Sequence, residues 1–263
     1  MGPLHVGEGA QILAGLRSCS RGWAPGGGDG QLGQVLGLDQ VAAGRWFATA
    51  NRLSKDHHPW EAINIVEATC RTTAEGLSDL ALAQPRIAAT DAAASIMPGP
   101  CELSAGRILR QRRSTPDMDG VTGMNRDRFY AMLARLVPAL CPVPWDAVTW
   151  PVLTQLGLFV HRVEGLSPGL YALARDADAL DKLRAAMHDQ FLWQPPPGCP
   201  PPLGLYLLKE GNYQQLAARV SCDQPLAGNG AFSLGMLVDF DQALALCGAP
   251  MYRHLYWETG VIG

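Results

Sequence analysis

Charge is scarce in this chain. Asp, Glu, Lys and Arg supply 17% of 263 residues, where about a quarter is usual. With 48% hydrophobic residues, that scarcity excludes a chain disordered throughout. The formal net charge of −3 excludes a dedicated nucleic-acid protein, so any basic site has to be local. Cys-x-x-Cys is missing. The seven cysteines are odd in number and widely spaced, which excludes a disulfide framework and a zinc site and leaves reduced, mostly buried thiols. Also missing are a basic start leading into an apolar run and any apolar stretch of membrane-spanning length, so neither a signal peptide nor a membrane span is expected. These absences describe a cytoplasmic chain with one large domain, or one domain and an appendage.

What is present divides near residue 100. Gly26-Gly27-Gly28-Asp29-Gly30 reads as a flexible connector, because no Gly-Lys-Ser or Gly-Lys-Thr follows and the glycines do not fit a dinucleotide loop. Residues 31–43 fit a short helix with Leu32, Val35, Leu36 and Val41 inward. Trp46 to Leu53 and then Asp56-His57-His58-Pro59-Trp60 follow. Adjacent histidines point in different directions, and no further ligand stands at metal spacing, so no metal is expected. The triplet reads instead as a loop before a helix over 61–70, with Asp56 able to cap it and Pro59 at its first turn. Residues 72–100 are Ala-rich and close on Met97-Pro98-Gly99-Pro100. This break separates an N-terminal segment, 1–100, from a second part, 101–263.

The second part opens on its most basic stretch. Arg107, Arg110, Arg112 and Arg113 fall within seven residues, and Ser114 follows at once. Guanidinium forks and a hydroxyl form a plausible phosphate grip. Basic residues at a helix C-terminus also suit the helix dipole, which gives some of them a purely structural reason. Ser104 is a candidate N-cap for a helix to about Arg112. Asn125 is one for a helix that carries Phe129, Met132, Leu133, Leu136 and Val137 at helical spacing. Residues 156–163 and 170–173 are β-rich and read as a hairpin around Glu164 to Gly169. His161 and Tyr171 are read as packed sheet residues rather than as catalysts. Residues 178–187 form an amphipathic helix with Leu180, Leu183 and Met187 on one face. Two proline triplets, 195–197 and 200–202, predict a stiff surface loop. A strand over 203–208, a helix over 213–220 and a strand over 232–240 come next. The last helix, 252–262, places Tyr252, Leu255, Tyr256, Thr259 and Ile262 on one face.

Several segments in this order carry a resemblance. They are Arg112-Arg113-Ser114 followed by Asp119-Gly120, the run Phe159 to Tyr171, Leu216-Ala217-Ala218-Arg219-Val220-Ser221-Cys222, Gly230-Ala231-Phe232-Ser233-Leu234-Gly235-Met236, and Tyr252 to Gly260. Over about 155 residues this ordered set resembles the FMN-dependent nitroreductase superfamily, and within it the azoline-dehydrogenase-like (SagB-type) branch. The resemblance implies an α+β fold with a central, mostly antiparallel sheet flanked by helices. FMN would lie between the halves of a homodimer or of a tandem pair of domains. Arg112, Arg113 and Ser114 would hold the flavin phosphate and ribityl side, and the helix beginning at Tyr252 would be the central interface helix. Hydride would pass between flavin and NAD(P)H or an organic partner, such as a nitro compound, a quinone or a peptide azoline. Residues 1–100 are similar, more faintly, to the tail of a preceding degenerate copy. Gly263 falls short of the segments that follow the central helix in that family, so a domain incomplete at its C-terminus is expected. No catalytic residue is assigned. The alternative from another class is a degenerate, non-catalytic nitroreductase-like domain acting as a partner or recognition subunit.

Overall fold

In the computed structural model the described residues are 56, 58–70, 104–141, 143–148 and 150–263. The expected glycine connector, the helix over 31–43, the Trp46 to Leu53 segment and the break at 97–100 lie outside them. The chain forms two compact units. One includes the described residues up to 70 together with 242–254, and the other takes in 104–241 and 255–263. Among the described residues, no helix is long and apolar enough to cross a membrane.

In the first unit the expected helix is α1, Glu61–Cys70. Its Ile63, Ile65 and Val66 are exposed, while Cys70 is buried and its thiol donates to the Ala249 carbonyl at 3.4 Å.

In the second unit two caps fix where helices begin. The Ser104 side chain accepts from the Arg107 N–H and starts α2, Ala105–Gln111. Asn125 accepts from the N–H groups of Asp127 and Arg128 and starts α3, Arg126–Ala134. Each cap satisfies amide donors that have no partner within the helix. The buried face of α3 holds Phe129, Tyr130, Ala131, Leu133 and Ala134, while Met132, expected inward, is exposed.

Four antiparallel strands follow: β1 (Thr154–Val160), β2 (Gly169–Leu173), β3 (Leu205–Glu210) and β4 (Phe232–Val238). Their order across the sheet is β3-β2-β1-β4. The β1–β2 hairpin closes at Val160 opposite Gly169. Side chains alternate between faces along a strand, so Leu156, Leu158 and Val160 share one face of β1. They form the main core with Tyr171, Leu173, Leu205 and Leu207, and Phe129, Leu133, Trp145 and Ile262 cover it. On the opposite face, α4 (Ala179–Ala186) closes over a smaller cluster of Ala174, Ala179 and Leu183, with Leu180, Met187 and Trp193 packed against it. Asp176 starts α4, accepting from the N–H groups of Asp178 and Ala179 at 2.7 and 3.1 Å. The architecture is α+β, an antiparallel sheet with helices against both faces.

The proline-rich segment is tied down rather than free. Gln194 bridges to Leu207, the Tyr130 hydroxyl donates to the Pro197 carbonyl at 2.9 Å, and Pro201–Leu203 forms a 3-10 turn that buries Leu203. After β3 come α5 (Gln214–Val220) and a short helix absent from the sequence reading, α6 (Pro225–Asn229). Their backbones approach so closely at Gly228 that a Cβ there would meet the Gln214 carbonyl oxygen at 2.6 Å.

The chain ends in α7 (Phe240–Cys247) and α8 (Met251–Ile262). Between them Gly248 holds φ +70, and its N–H donates to the Leu244 carbonyl at 2.7 Å, a glycine stop with a backbone that other residues adopt at a cost. The buried positions of α8 are Met251, His254, Leu255, Glu258 and Ile262. The expected face was rotated: Tyr256 is 62% exposed and Glu258 is buried. Glu258 meets Arg175, which follows β2, at 2.5 Å, with both side chains almost wholly buried. Arg175 also donates to the carbonyls of Leu136 (2.7 Å) and Thr154 (2.8 Å), and its guanidinium lies 4.3 Å from the centre of the Trp145 ring. Glu258 accepts from the N–H groups of Leu153 and Thr154, each at 3.2 Å. These bonds compensate for the removal of two charges from water.

Candidate functional site

Arg112 caps the C-terminus of α2. Its N–H donates to the Ile108 carbonyl at 2.8 Å, and its ψ of 136 turns the backbone from helix to extended chain. Arg113 and Ser114 follow outside any helix or strand, and all three side chains are exposed. The Arg113 Nη1 donates to the carbonyls of Arg110 (2.9 Å) and Arg112 (2.8 Å). It thereby covers acceptors that a helix end leaves unpaired. Arg107 is occupied within α2, its Nε donating to Gln111 Oε1 at 3.1 Å. Among the described residues, no carboxylate forms an ion pair with Arg112 or Arg113. An unneutralised guanidinium pair beside a hydroxyl is a donor set suited to a phosphate.

The chain beyond Ser114 forms one wall of a cleft of about 440 Å³. Thr115, Pro116 and Asp117 line this side, and Gln224, Pro225 and Leu226 at the start of α6 line the other. Three features shape the first wall. Asp117 Oδ1 accepts from the Met118 N–H at 2.7 Å and, at 3.5 Å, from the Asn229 side-chain amide. Asp119 accepts from the N–H groups of Val121 (2.9 Å) and Thr122 (2.8 Å) and from the Thr122 hydroxyl. These bonds, led by the hydroxyl, hold the Asp119 carboxyl down at about 2, although it is exposed. Gly120 takes φ +72 between them, the conformation a glycine allows at little cost.

Arg162 joins the two walls. Its Nε donates to the Thr122 carbonyl at 3.2 Å, and its Nη2 donates to the carbonyls of Asn229 and Gly230, the latter at 2.8 Å. His161, just before it, is buried, and its Nε2 contacts the Ala227 carbonyl of α6 at 3.0 Å. Burial lowers the pKa of His161, the Ala227 carbonyl opposes that shift, and the Arg162 charge adds to it. The Tyr171 hydroxyl donates to the Ser167 carbonyl at 2.7 Å, and burial pushes its pKa up to about 12. Both side chains are occupied by backbone groups, in keeping with the packed role expected of them.

The expected site residues Arg112, Arg113 and Ser114 thus stand together by being consecutive, and the fold adds the cleft beside them. Sequence reasoning missed Arg162, Asn229 and α6. The Asp119-Gly120 turn was the available signal for the first wall. Among the described residues, no group of three His, Cys, Asp or Glu side chains could hold a metal. Cys70, which is buried, Cys141 and Cys199, which are half-buried, and Cys222, which is exposed, are free thiols.

No protein-family model and no curated protein matches the chain. Among solved structures it is similar to the crystal structure of a proposed nitroreductase from Anabaena variabilis. The two are 19% identical with a TM-score of 0.45, over 60% of this chain and 28% of that one. The chain therefore spans under a third of the length of the structure it matches.

Proposed function

We propose that residues 101–263 form an FMN-binding oxidoreductase domain of the nitroreductase type, closest to the SagB-type branch. The observation that carries this reading is the exposed run Arg112-Arg113-Ser114 at the exit of α2, with no carboxylate partner among the described residues and a cleft beginning at the next residue. Arg112 and Arg113 would hold the FMN phosphate, and the Ser114 hydroxyl would face the ribityl chain. Bound FMN supplies hydride transfer between NAD(P)H and an organic partner such as a nitro compound, a quinone or a peptide azoline.

The chain's own residues contribute binding and orientation. Arg113 reaches a phosphate with the guanidinium hydrogens that Nη1 does not give to the helix carbonyls. Asp119 and Arg162 keep the wall that follows in one shape. The order of the resembling segments supports the same reading. The run from Phe159 to Tyr171 forms the β1–β2 turn, Gly230 to Met236 leads into β4, and Tyr252 to Gly260 lies on α8. In this reading a second copy of the chain, or a tandem partner domain, completes the flavin site.

A second reading, a non-catalytic nitroreductase-like partner subunit, is favoured by one observation. Arg113 already spends Nη1 on two backbone carbonyls. Turnover separates the readings. Protein incubated with FMN and desalted is expected to oxidise NADH or NADPH with a quinone or nitro acceptor. Retained flavin without NAD(P)H oxidation, by any acceptor tried, would establish the partner reading instead.

A further inference from the structure

Arg162 touches neither Arg112 nor Arg113, yet it bonds to both elements that bound the cleft. From the end of β1 its Nε reaches the carbonyl of Thr122, in the loop that begins at Ser114. Its Nη2 reaches the carbonyls of Asn229 and Gly230, where α6 ends. Its own carbonyl accepts from the Met124 N–H at 2.9 Å, and a Cβ on Gly123 would lie 3.0 Å from that same oxygen. One side chain and one peptide group therefore pin the far end of the loop. At the near end, Asn229 holds Asp117 at 3.5 Å.

We propose that Arg162 is the positioning residue of the phosphate grip: by bridging Thr122 to Asn229 and Gly230, it fixes the loop of Arg112, Arg113 and Ser114 at a set distance from α6. This inference rests on the FMN reading above. A planar guanidinium can donate in two directions at once, whereas an ammonium on a flexible stem acts as a point charge. The role thus belongs to the fork and not to the charge alone.

The test compares FMN with riboflavin, which lacks the phosphate. Affinities are read from flavin fluorescence for the wild type, Arg162→Ala and Arg162→Lys. Arg162→Ala is expected to weaken FMN about tenfold, since hydrogen bonds to charged groups depend on placement, and to leave riboflavin unchanged. Arg162→Lys is expected to behave like Arg162→Ala, and it carries the test alone if the alanine variant does not fold. The proposal is overturned if the preference for FMN survives in the alanine variant. It is overturned equally if lysine restores that preference, or if both flavins weaken in parallel, which marks a purely structural role. A wild-type protein with no preference for FMN over riboflavin sinks the FMN reading itself, whatever the variants do.

Discussion

At the scale of single residues, His161 is held by two opposed influences. Burial and the neighbouring Arg162 disfavour its protonated form, and the Ala227 carbonyl recovers only part of that cost. His254 is in the same position, buried against the Pro250 carbonyl beside Arg253. Each has a folded pKa below its ordinary value of 6.5. The unfolded chain therefore binds more protons over that interval, and stability rises with pH across it. Stability is complete above the ordinary histidine range and is lost as pH falls through it. Thermal unfolding from about pH 8 down to about pH 5 is expected to show a falling midpoint, with a smaller fall in His161→Gln. An equal fall in the variant would remove His161 from this account. Neither effect was legible in the sequence. The sequence places His161 in a strand, whereas it follows β1 and its partner lies 66 residues away on a helix without a sequence signal.

At the scale of elements, local signals served well where one short stretch decides the outcome. Asn125 caps α3, and the period-two run with its Gly and Pro turn gives the β1–β2 hairpin, because the relevant partners lie within a few residues. The face of α8 was misjudged because hydrophobicity ranks Glu258 as an outward residue. Arg175, 83 residues earlier, together with the Leu153 and Thr154 amides makes its burial tolerable. Arg162 escaped for a related reason: its acceptors are backbone carbonyls, which carry no residue signature. The Arg175–Glu258 pair joins α8 to the start of β1 through the Leu153 and Thr154 amides. Replacing Glu258 by Gln leaves a buried cation without its counter-charge, so a loss of about 3–5 kcal/mol is expected from urea unfolding. A loss under about 1 kcal/mol would mean that the pair is hydrated and contributes little to that junction.

At the scale of the whole molecule, the sheet positions the cleft. Just beyond β1, His161 and Arg162 reach α6 and the loop beyond α2, and β4 follows Gly230 at the end of α6. The α+β class was legible from the sequence. The second wall was not, because α6 is only five residues long and gives no periodic signal. In the proposed reading Arg112 and Arg113 hold the phosphate of FMN and Ser114 faces its ribityl chain. An equilibrium titration of FMN fluorescence tests it directly, with the wild type set against Arg112→Ala combined with Arg113→Ala. Saturable quenching by the wild type is expected, with affinity reduced about a hundredfold or more in the double variant. Wild-type protein that leaves FMN fluorescence unchanged, or a double variant that binds as tightly as the wild type, would contradict the account.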